Sequence, residues 1–524
     1  MEWSLAAPKR WSPNLRFAAL LSLVHFSLLV YFSQSHELWR DEVRALNIVL
    51  DSNSPLDLLG KLHNEGHPIL WYAVLYLGYG VLHTKAVLVL ASLLIAEGAV
   101  FVLAAYAPFP RWQRVLFALG LFPLYEFSIM CRNYGLAMLL GFVYAALYER
   151  RFVRPVWFGL VIALFANTTA FCAVIAAWMT LLWSLERIYV EVRRKDLVLA
   201  LRSRMALGVS TALLGIAFSI YVFRADATAL FYRPQNISVD AALAAFYEHL
   251  THPASRLSDL FSLSGTLPLT IAVWLVTLYL LIRNPFIAGL FYGSIAAFDL
   301  FSALIYGPAT RHKGLAYVII IAALWLDAQL PVRELPRSLG ALCRALAPVI
   351  AGAIPIMFAI QANAGYEAIK LDRVVRLSGD KWFAHVIEAH PEYADAIVIG
   401  EPDLRVEALS YYVDNPIYQA RDRKFGRQVN FSHGSATDLT LDGILAMAEQ
   451  LRASEHKPVL IAMGPTLLPE GPFFFVHTFV KVFRYDPDML KRFRAATRRV
   501  ATIRGNIAQI VEPEEFDVYA LPLR

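Results

Sequence analysis

Charge is what this chain is shortest of. Asp, Glu, Lys and Arg make up 17% of its 524 residues and apolar side chains 58%. Water-soluble domains carry about 25% charged residues, so a chain that folds wholly in water is excluded. Cysteine is scarce as well. Cys131, Cys172 and Cys343 form no CxxC pair and lie in or beside apolar runs, so they indicate neither a disulfide framework nor a zinc site and read as core thiols. The C-terminal third has no glycine-rich phosphate fingerprint of the GxGxxG or GxxxxGK[ST] type. Internal repeats and low-complexity tracts are missing throughout. The net charge is +6, but the basic residues fall between apolar runs rather than along one stripe. They report membrane topology, and no nucleic-acid partner is expected.

What the chain has instead is a series of apolar runs. The first, Phe17 to Phe32, follows Lys9, Arg10 and Arg16 and has no small-residue cleavage site after it, so it reads as a retained span rather than a signal peptide. Its basic flank places the N-terminus in the cytoplasm. Further runs occupy 69–82, 86–108, 115–148, 156–185, 207–223, 265–282, 286–306, 314–328 and 345–362. Because a span needs about 20 residues, 115–148 and 156–185 are each long enough for a hairpin, with outer vertices at Arg132-Asn133-Tyr134 and Asn167-Thr168-Thr169. Three basic connectors match cytoplasmic loops: Arg150, Arg151 and Arg154; Arg187, Arg193, Arg194, Lys195, Arg202 and Arg204; and Arg333, Arg337 and Arg344. One conflict stands. Two full spans at 69–82 and 86–108 would push Arg111 to Arg114 outside, so one segment between 68 and 130 is expected to be short, bent or interfacial.

The fold class that follows is an α-helical polytopic membrane protein with an odd number of spans, 11 or 13, over residues 1–362. Beyond 363 short apolar runs at Ala396 to Gly400 and Pro458 to Ala462 alternate with helix-like stretches at 381–390, 404–413 and 440–453. That texture predicts a soluble α/β domain over 363–524. It is expected to be an extracytoplasmic accessory domain.

The most informative stretch is the loop 36–68, which opens with Trp39-Arg40-Asp41-Glu42, closes with His63-Asn64-Glu65-Gly66-His67-Pro68 and returns to the apolar Ile69-Leu70-Trp71-Tyr72. Ionisable groups held where a span surfaces are functional-site candidates by default; the bland alternative is a solvated acidic loop. His63 to His67 is not the HExxH metalloprotease motif, since its Glu is out of place and Gly66 and Pro68 disfavour the helix. Metal binding by His63, Glu65 and His67 stays open on ligand chemistry alone. Two basic sites, Arg132 and Arg311-His312-Lys313, fall on the outer face against the positive-inside trend. A phosphate group held there is a sufficient reason for them; for Arg311 to Lys313 the alternative is interfacial snorkelling.

Taken together, Asp41-Glu42 after the first span, His67-Pro68 opening the next apolar segment, and Arg132-Asn133-Tyr134 at the head of a later one resemble the membrane glycosyltransferases of the GT-C fold. That group contains the protein O-mannosyltransferases and the lipid A aminoarabinose transferases. The resemblance covers about the first 320 residues. It implies transfer of a sugar from a polyprenyl-phosphate donor to an extracytoplasmic hydroxyl on a lipid, glycan or protein, in a bacterial inner (plasma) membrane with the active site outside. By the same resemblance Asp41 is the general base, Glu42 orients it or holds a metal, and His67, Arg132, Tyr134, Arg311 and His312 contact the donor phosphate. The resemblance names no certain cofactor and leaves a divalent cation open. A transporter or flippase of lipid-linked saccharides is the competing class; such proteins show internal pseudo-symmetry and ionisable groups at mid-membrane, whereas the charges here gather in loops.

Overall fold

The computed structural model describes residues 13–194, 204–224, 238–261, 266–330, 335–376, 378–429, 434–470, 473–477, 481–504 and 515–523. Lys9, Arg10, Lys195, Arg202 and Arg333, weighed above as topology signals, lie outside them. In hydrocarbon every backbone N–H and C=O must be satisfied within its own segment, which leaves helices as the form apolar runs adopt. The first nine are α1 (Pro13–Ser33), α2 (Arg40–Leu50), α3 (Pro55–Lys61), α4 (Leu70–Leu82), α5 (Val87–Tyr106), α6 (Arg111–Ala118), α7 (Tyr134–Leu147), α8 (Pro155–Ala166) and α9 (Ala170–Arg194). Apolar helices follow at Met205–Phe223, Leu267–Arg283, Pro285–Leu304, Thr310–Gln329 and Arg337–Asp372. Among the described residues six helices are long and apolar enough to cross a membrane. With the composition, this makes the chain an integral membrane protein.

The run at 69–82 is the short one. Helix α4 has 13 residues, or about 20 Å of rise, against a hydrocarbon core of about 30 Å. Arg114 does not dangle from the end of α5 either. It is buried, and its guanidinium donates to the Phe109 and Ala104 carbonyls at 2.6 Å each, satisfying acceptors that the end of a helix leaves without partners. The hairpin expected over 115–148 has an irregular first arm, in which α6 gives way to a π turn at Phe122–Glu126 before the chain reaches Arg132.

The chain divides into two compact units. The first is built chiefly from α1, Ser92–Tyr221 and Pro234–Ile369, and the second from Ser35–Ala91 and Lys370–Arg524. Within the first, α8 and the helix Met205–Phe223 approach so closely that a Cβ on Gly159 would overlap the Gly208 carbonyl, and one on Gly208 would overlap the Pro155 carbonyl. Ser219 Oγ donates to Ala166 O at 2.7 Å and Asn167 Nδ2 to Gly215 O at 2.9 Å along the same seam. Small residues and side-chain-to-backbone bonds are how helices adhere where lipid offers no hydrophobic gain. Gly208→Val is therefore expected to force the pair apart and to destabilise the purified protein by about 1–3 kcal/mol or more, read as a lower melting temperature in detergent.

The second unit holds a six-stranded mixed sheet in the order β3-β2-β1-β5-β9-β8, with a three-stranded sheet β4-β7-β6. The strands are β1 Ile397–Glu401, β2 Ile417–Gln419, β3 Lys424–Phe425, β4 Asp438–Thr440, β5 Val459–Met463, β6 Phe473–His477, β7 Lys481–Tyr485, β8 Arg498–Ile503 and β9 Phe516–Leu521. The central strands β1 and β5 pair in parallel and are buried on both faces, which is why they read as unbroken apolar runs. Helices stand at Asp380–Glu388 and Leu441–Glu455, close to the expected ranges. The stretch 404–413 is shorter than expected, a 3-10 turn at Asp403–Val406 and a single helical turn at Leu409–Tyr412. Tertiary ties override helix there: Asp403 is buried against Lys481 and Glu407 against Arg44.

Candidate active site

One group of candidate residues, mostly acidic, lies in the second unit. Helix α2 begins at Arg40 because Glu42, third in the helix, turns back to accept the Trp39 N–H at 3.1 Å, one half of a capping box. Asp41 and Glu42 sit in its first turn, where the helix dipole favours negative charge. Asp41 stays half-buried, and Arg40 forks onto its Oδ1 through Nε and Nη2 at 3.0 and 2.9 Å. That pair fixes the carboxylate at the mouth of the helix. Glu42 points inward and is fully buried.

His36 completes this arrangement and escaped the sequence reading. Its Nδ1 donates to Asp372 Oδ1 at 2.8 Å and its Nε2 to both Glu42 oxygens at 3.1 Å. Burial pulls the imidazole's pKa down, but the charges of Glu42 and Asp372 and their hydrogen bonds outweigh it and raise it from 6.5 to about 10. His36 is thus an imidazolium clamped between two carboxylates. Asp372 closes the long helix Arg337–Asp372, so the start of α2 is tied to the end of that helix.

The rest of α2 is tied equally firmly. Arg44 Nε and Nη2 donate to Glu65 at 2.8 and 2.6 Å, and Nη1 to Glu407 at 2.8 and 3.1 Å. Asn47 Nδ2 donates to the Glu407 and Arg427 carbonyls, and Ser410 Oγ donates to Asn47 Oδ1. Burial pushes the Glu407 carboxyl above the usual range, with Arg44 opposing it. Glu65, the acid of the His63, Glu65 and His67 trio, is therefore committed to Arg44. His67 is half-buried at the turn that Asn64 and Gly66 make with positive φ, 72° and 70°, ahead of Pro68 and α4. Among the described residues no group of three or more His, Cys, Asp or Glu side chains is placed to hold a metal ion.

A separate group of candidates, mostly basic, lies in the first unit, where residues distant in sequence converge. Tyr134, wholly buried, meets His312 Nε2 through its hydroxyl at 2.9 Å. His312 Nδ1 accepts the Ala309 N–H at 2.9 Å, so the ring proton sits on Nε2 and is donated to the Tyr134 oxygen. The Arg132 guanidinium lies 5.7 Å from the centre of the Tyr134 ring, within cation–π reach, and Arg311 precedes His312 in the first turn of its helix. Aromatic neighbours lock the cluster. Tyr134 stacks on Phe127 and His312 on Phe171, while Asn133 Nδ2 donates to the Thr168 carbonyl at 2.6 Å. Lys313 is engaged apart from this group, on Asp259 at 2.5 Å. The vertices 132–134 and 167–169, expected to share a face, are thereby joined. Asp259, Phe171 and Phe127 carry no one-dimensional signal of this role.

No protein-family model and no curated protein matches the chain. Among solved structures it is similar to ArnT from Cupriavidus metallidurans bound to undecaprenyl phosphate, at 14% identity over 96% of this chain and 97% of that one, with a TM-score of 0.48. It is similar also to the apo state of that protein, at 13% identity over 97% and 98% of the two chains, TM-score 0.47. A third similarity is to the mycobacterial arabinofuranosyltransferase AftD, at 14% identity over 99% of this chain and 40% of that one, TM-score 0.37.

Proposed function

We propose that the chain is a GT-C glycosyltransferase that moves a sugar from a polyprenyl-phosphate donor to an extracytoplasmic hydroxyl. The observation that carries this reading is the meeting of Tyr134 with His312 beside the Arg132 guanidinium, with Arg311 next to His312 at the head of its helix. Two cations and a phenol at an outer helix vertex suit a phosphate that gains charge as it leaves. Asp41 serves as the base in this proposal: it takes the acceptor's proton as the acceptor oxygen bonds to the anomeric carbon and the bond from that carbon to the phosphate oxygen breaks. Glu42 and His312 act through others: Glu42 positions α2, and His312, bonded to the Tyr134 hydroxyl and the Ala309 N–H, positions Tyr134. His67 belongs to the donor side in this proposal. Lipid, glycan and protein acceptors all satisfy it.

In this reading the chain crosses a bacterial plasma membrane eleven times, with α4 outside and α6 and its π turn forming one broken crossing. The N-terminus faces the cytoplasm and the second unit the exterior. A phosphatase reporter fused after residue 365 is expected to be active; a silent fusion reverses the orientation. The decisive assay uses purified full-length protein in detergent with polyprenyl-phosphate sugars, candidate acceptors, and divalent cations present or chelated. Transfer with release of polyprenyl phosphate is expected. Lipid movement across vesicles without any transfer would make the protein a flippase.

Within that assay Arg132→Ala and Arg311→Ala are each expected to weaken donor use by about tenfold or more, since charge-assisted contacts to phosphate are the strong ones. Lysine at either place is expected to rescue in part, because it supplies charge without the fork. Unchanged donor kinetics in Arg132→Ala would remove that residue from the site.

A further inference from the structure

At the opposite end of α7 from Tyr134, the turn into α8 carries three arginines that the fold treats differently. Arg151 is neutralised: its Nε and Nη2 donate to Glu186 at 2.8 and 2.7 Å, and its guanidinium lies 4.0 Å from the centre of the Tyr148 ring. Arg187 is paired with Glu191 at 2.7 Å. Arg150 and Arg154 are exposed and have no ion-pair partner among the described residues. The Arg154 N–H donates to the Arg150 carbonyl at 2.8 Å, so the two positions stack one helical turn apart. The one other acid of the turn, Glu149, is exposed and makes no ion pair among the described residues.

Between these two arginines and the start of α8 lies a groove of about 180 Å³, lined by Leu147, Arg150, Arg154, Trp157 and Phe158. Its walls are apolar, and Trp157 and Val153 beside it are 64% and 79% exposed. Depth matters here. Helix α9 continues eight residues past Glu186, about 12 Å, so the turn that pairs with Glu186 stops well short of the end of α9. Exposed Trp beside Arg at a helix end marks the boundary of headgroups and acyl chains.

We propose that this groove is a binding site for an anionic glycerophospholipid, with the phosphate between Arg150 and Arg154 and the upper part of one acyl chain against Leu147, Trp157 and Phe158. The charge left over at the turn selects an anion, and the apolar floor selects one that carries a chain. Basic pockets between helices on this side of a membrane take anionic headgroups for these reasons. A polyprenyl phosphate shares the chemistry, and the displacement measurement below distinguishes it from a glycerophospholipid. The site is separate from the catalytic reading and does not depend on it.

The test is native mass spectrometry of full-length protein released from nanodiscs of phosphatidylglycerol and phosphatidylcholine, with Arg150→Gln/Arg154→Gln beside wild type. Wild type is expected to retain one more phosphatidylglycerol than the double variant, and the variant to hold it on the order of tenfold more weakly. Arg150→Lys/Arg154→Lys is expected to keep most of the retention. A second measurement needs no charge variant. Lipid brominated near the headgroup should quench the fluorescence assigned to Trp157, by difference from Trp157→Phe, more as phosphatidylglycerol than as phosphatidylcholine. Equal retention by wild type and the glutamine variant, equal quenching by the two lipids, or displacement of phosphatidylglycerol by stoichiometric polyprenyl phosphate would overturn the proposal.

Discussion

Asp41→Asn is expected to lower sugar transfer on the order of 100-fold or more while the protein folds and binds donor as before. The carboxamide has the size of the carboxylate and leaves the capping contact of Glu42 in place, because that contact uses the neighbouring side chain. What it removes is the proton acceptor, together with the ionic half of the contact from Arg40. Arg40 is therefore the control. Arg40→Gln keeps the proton acceptor and removes one neighbouring cation, so activity should fall less than in Asp41→Asn. Glu in place of Asp41 should recover little, since one more methylene displaces the oxygen from the acceptor. Full activity in Asp41→Asn rejects the base.

The second large effect is one of stability, and it falls on His36. His36→Gln leaves Glu42 and Asp372 buried without their shared cation, and removing one partner of a buried ion pair costs about 3–5 kcal/mol. All three side chains are 3% exposed or less, so solvent screening gives little relief. A raised folded-state pKa contributes stability that is complete below the unfolded value of 6.5 and is lost as pH rises through the folded value of about 10. The melting temperature of the wild type should therefore fall across that window by more than that of His36→Gln, which begins low and has no such titration. Neutralising the acids as well, in His36→Gln/Glu42→Gln/Asp372→Asn, should restore part of the loss. A single variant that melts like wild type throughout would show the clamp to be unimportant.

The candidate acids and bases could be singled out in one dimension because an ionisable residue at the end of an apolar run stands out against its neighbours. Asp41, His67, Arg132 and Arg311 all have that signature. His36 has it too, beside the first span, yet its meaning rests on Asp372, 336 residues away, and no local pattern records such a partner. The run Leu70–Leu82 was ambiguous for a different reason. Hydropathy registers that a helix is apolar and says nothing about which solvent surrounds it, so only its 13 residues distinguish it from a crossing. In the second unit the strands near 397 and 459 were legible because burial on both faces leaves unbroken apolar runs. The short helix at Leu409–Tyr412 was not, because the ion pairs that break the stretch 404–413 reach it from Arg44 and Lys481.

The ties on α2 also set a schedule for biosynthesis. Arg44 is made early, but Glu407 follows it by 363 residues, an interval of about 20 to 70 s at ordinary translation rates of about 5–20 residues per second. Helix α4, against which α2 chiefly packs, follows at once, but throughout that interval Arg44 and Asn47 lack their partners at Glu407, Ser410 and Arg427. Nascent chains arrested before residue 407 should therefore be open to protease within residues 40–50, and full-length chains closed there. The helix that opens on Asp41 is then among the first regions synthesised and among the last to gain all its ties.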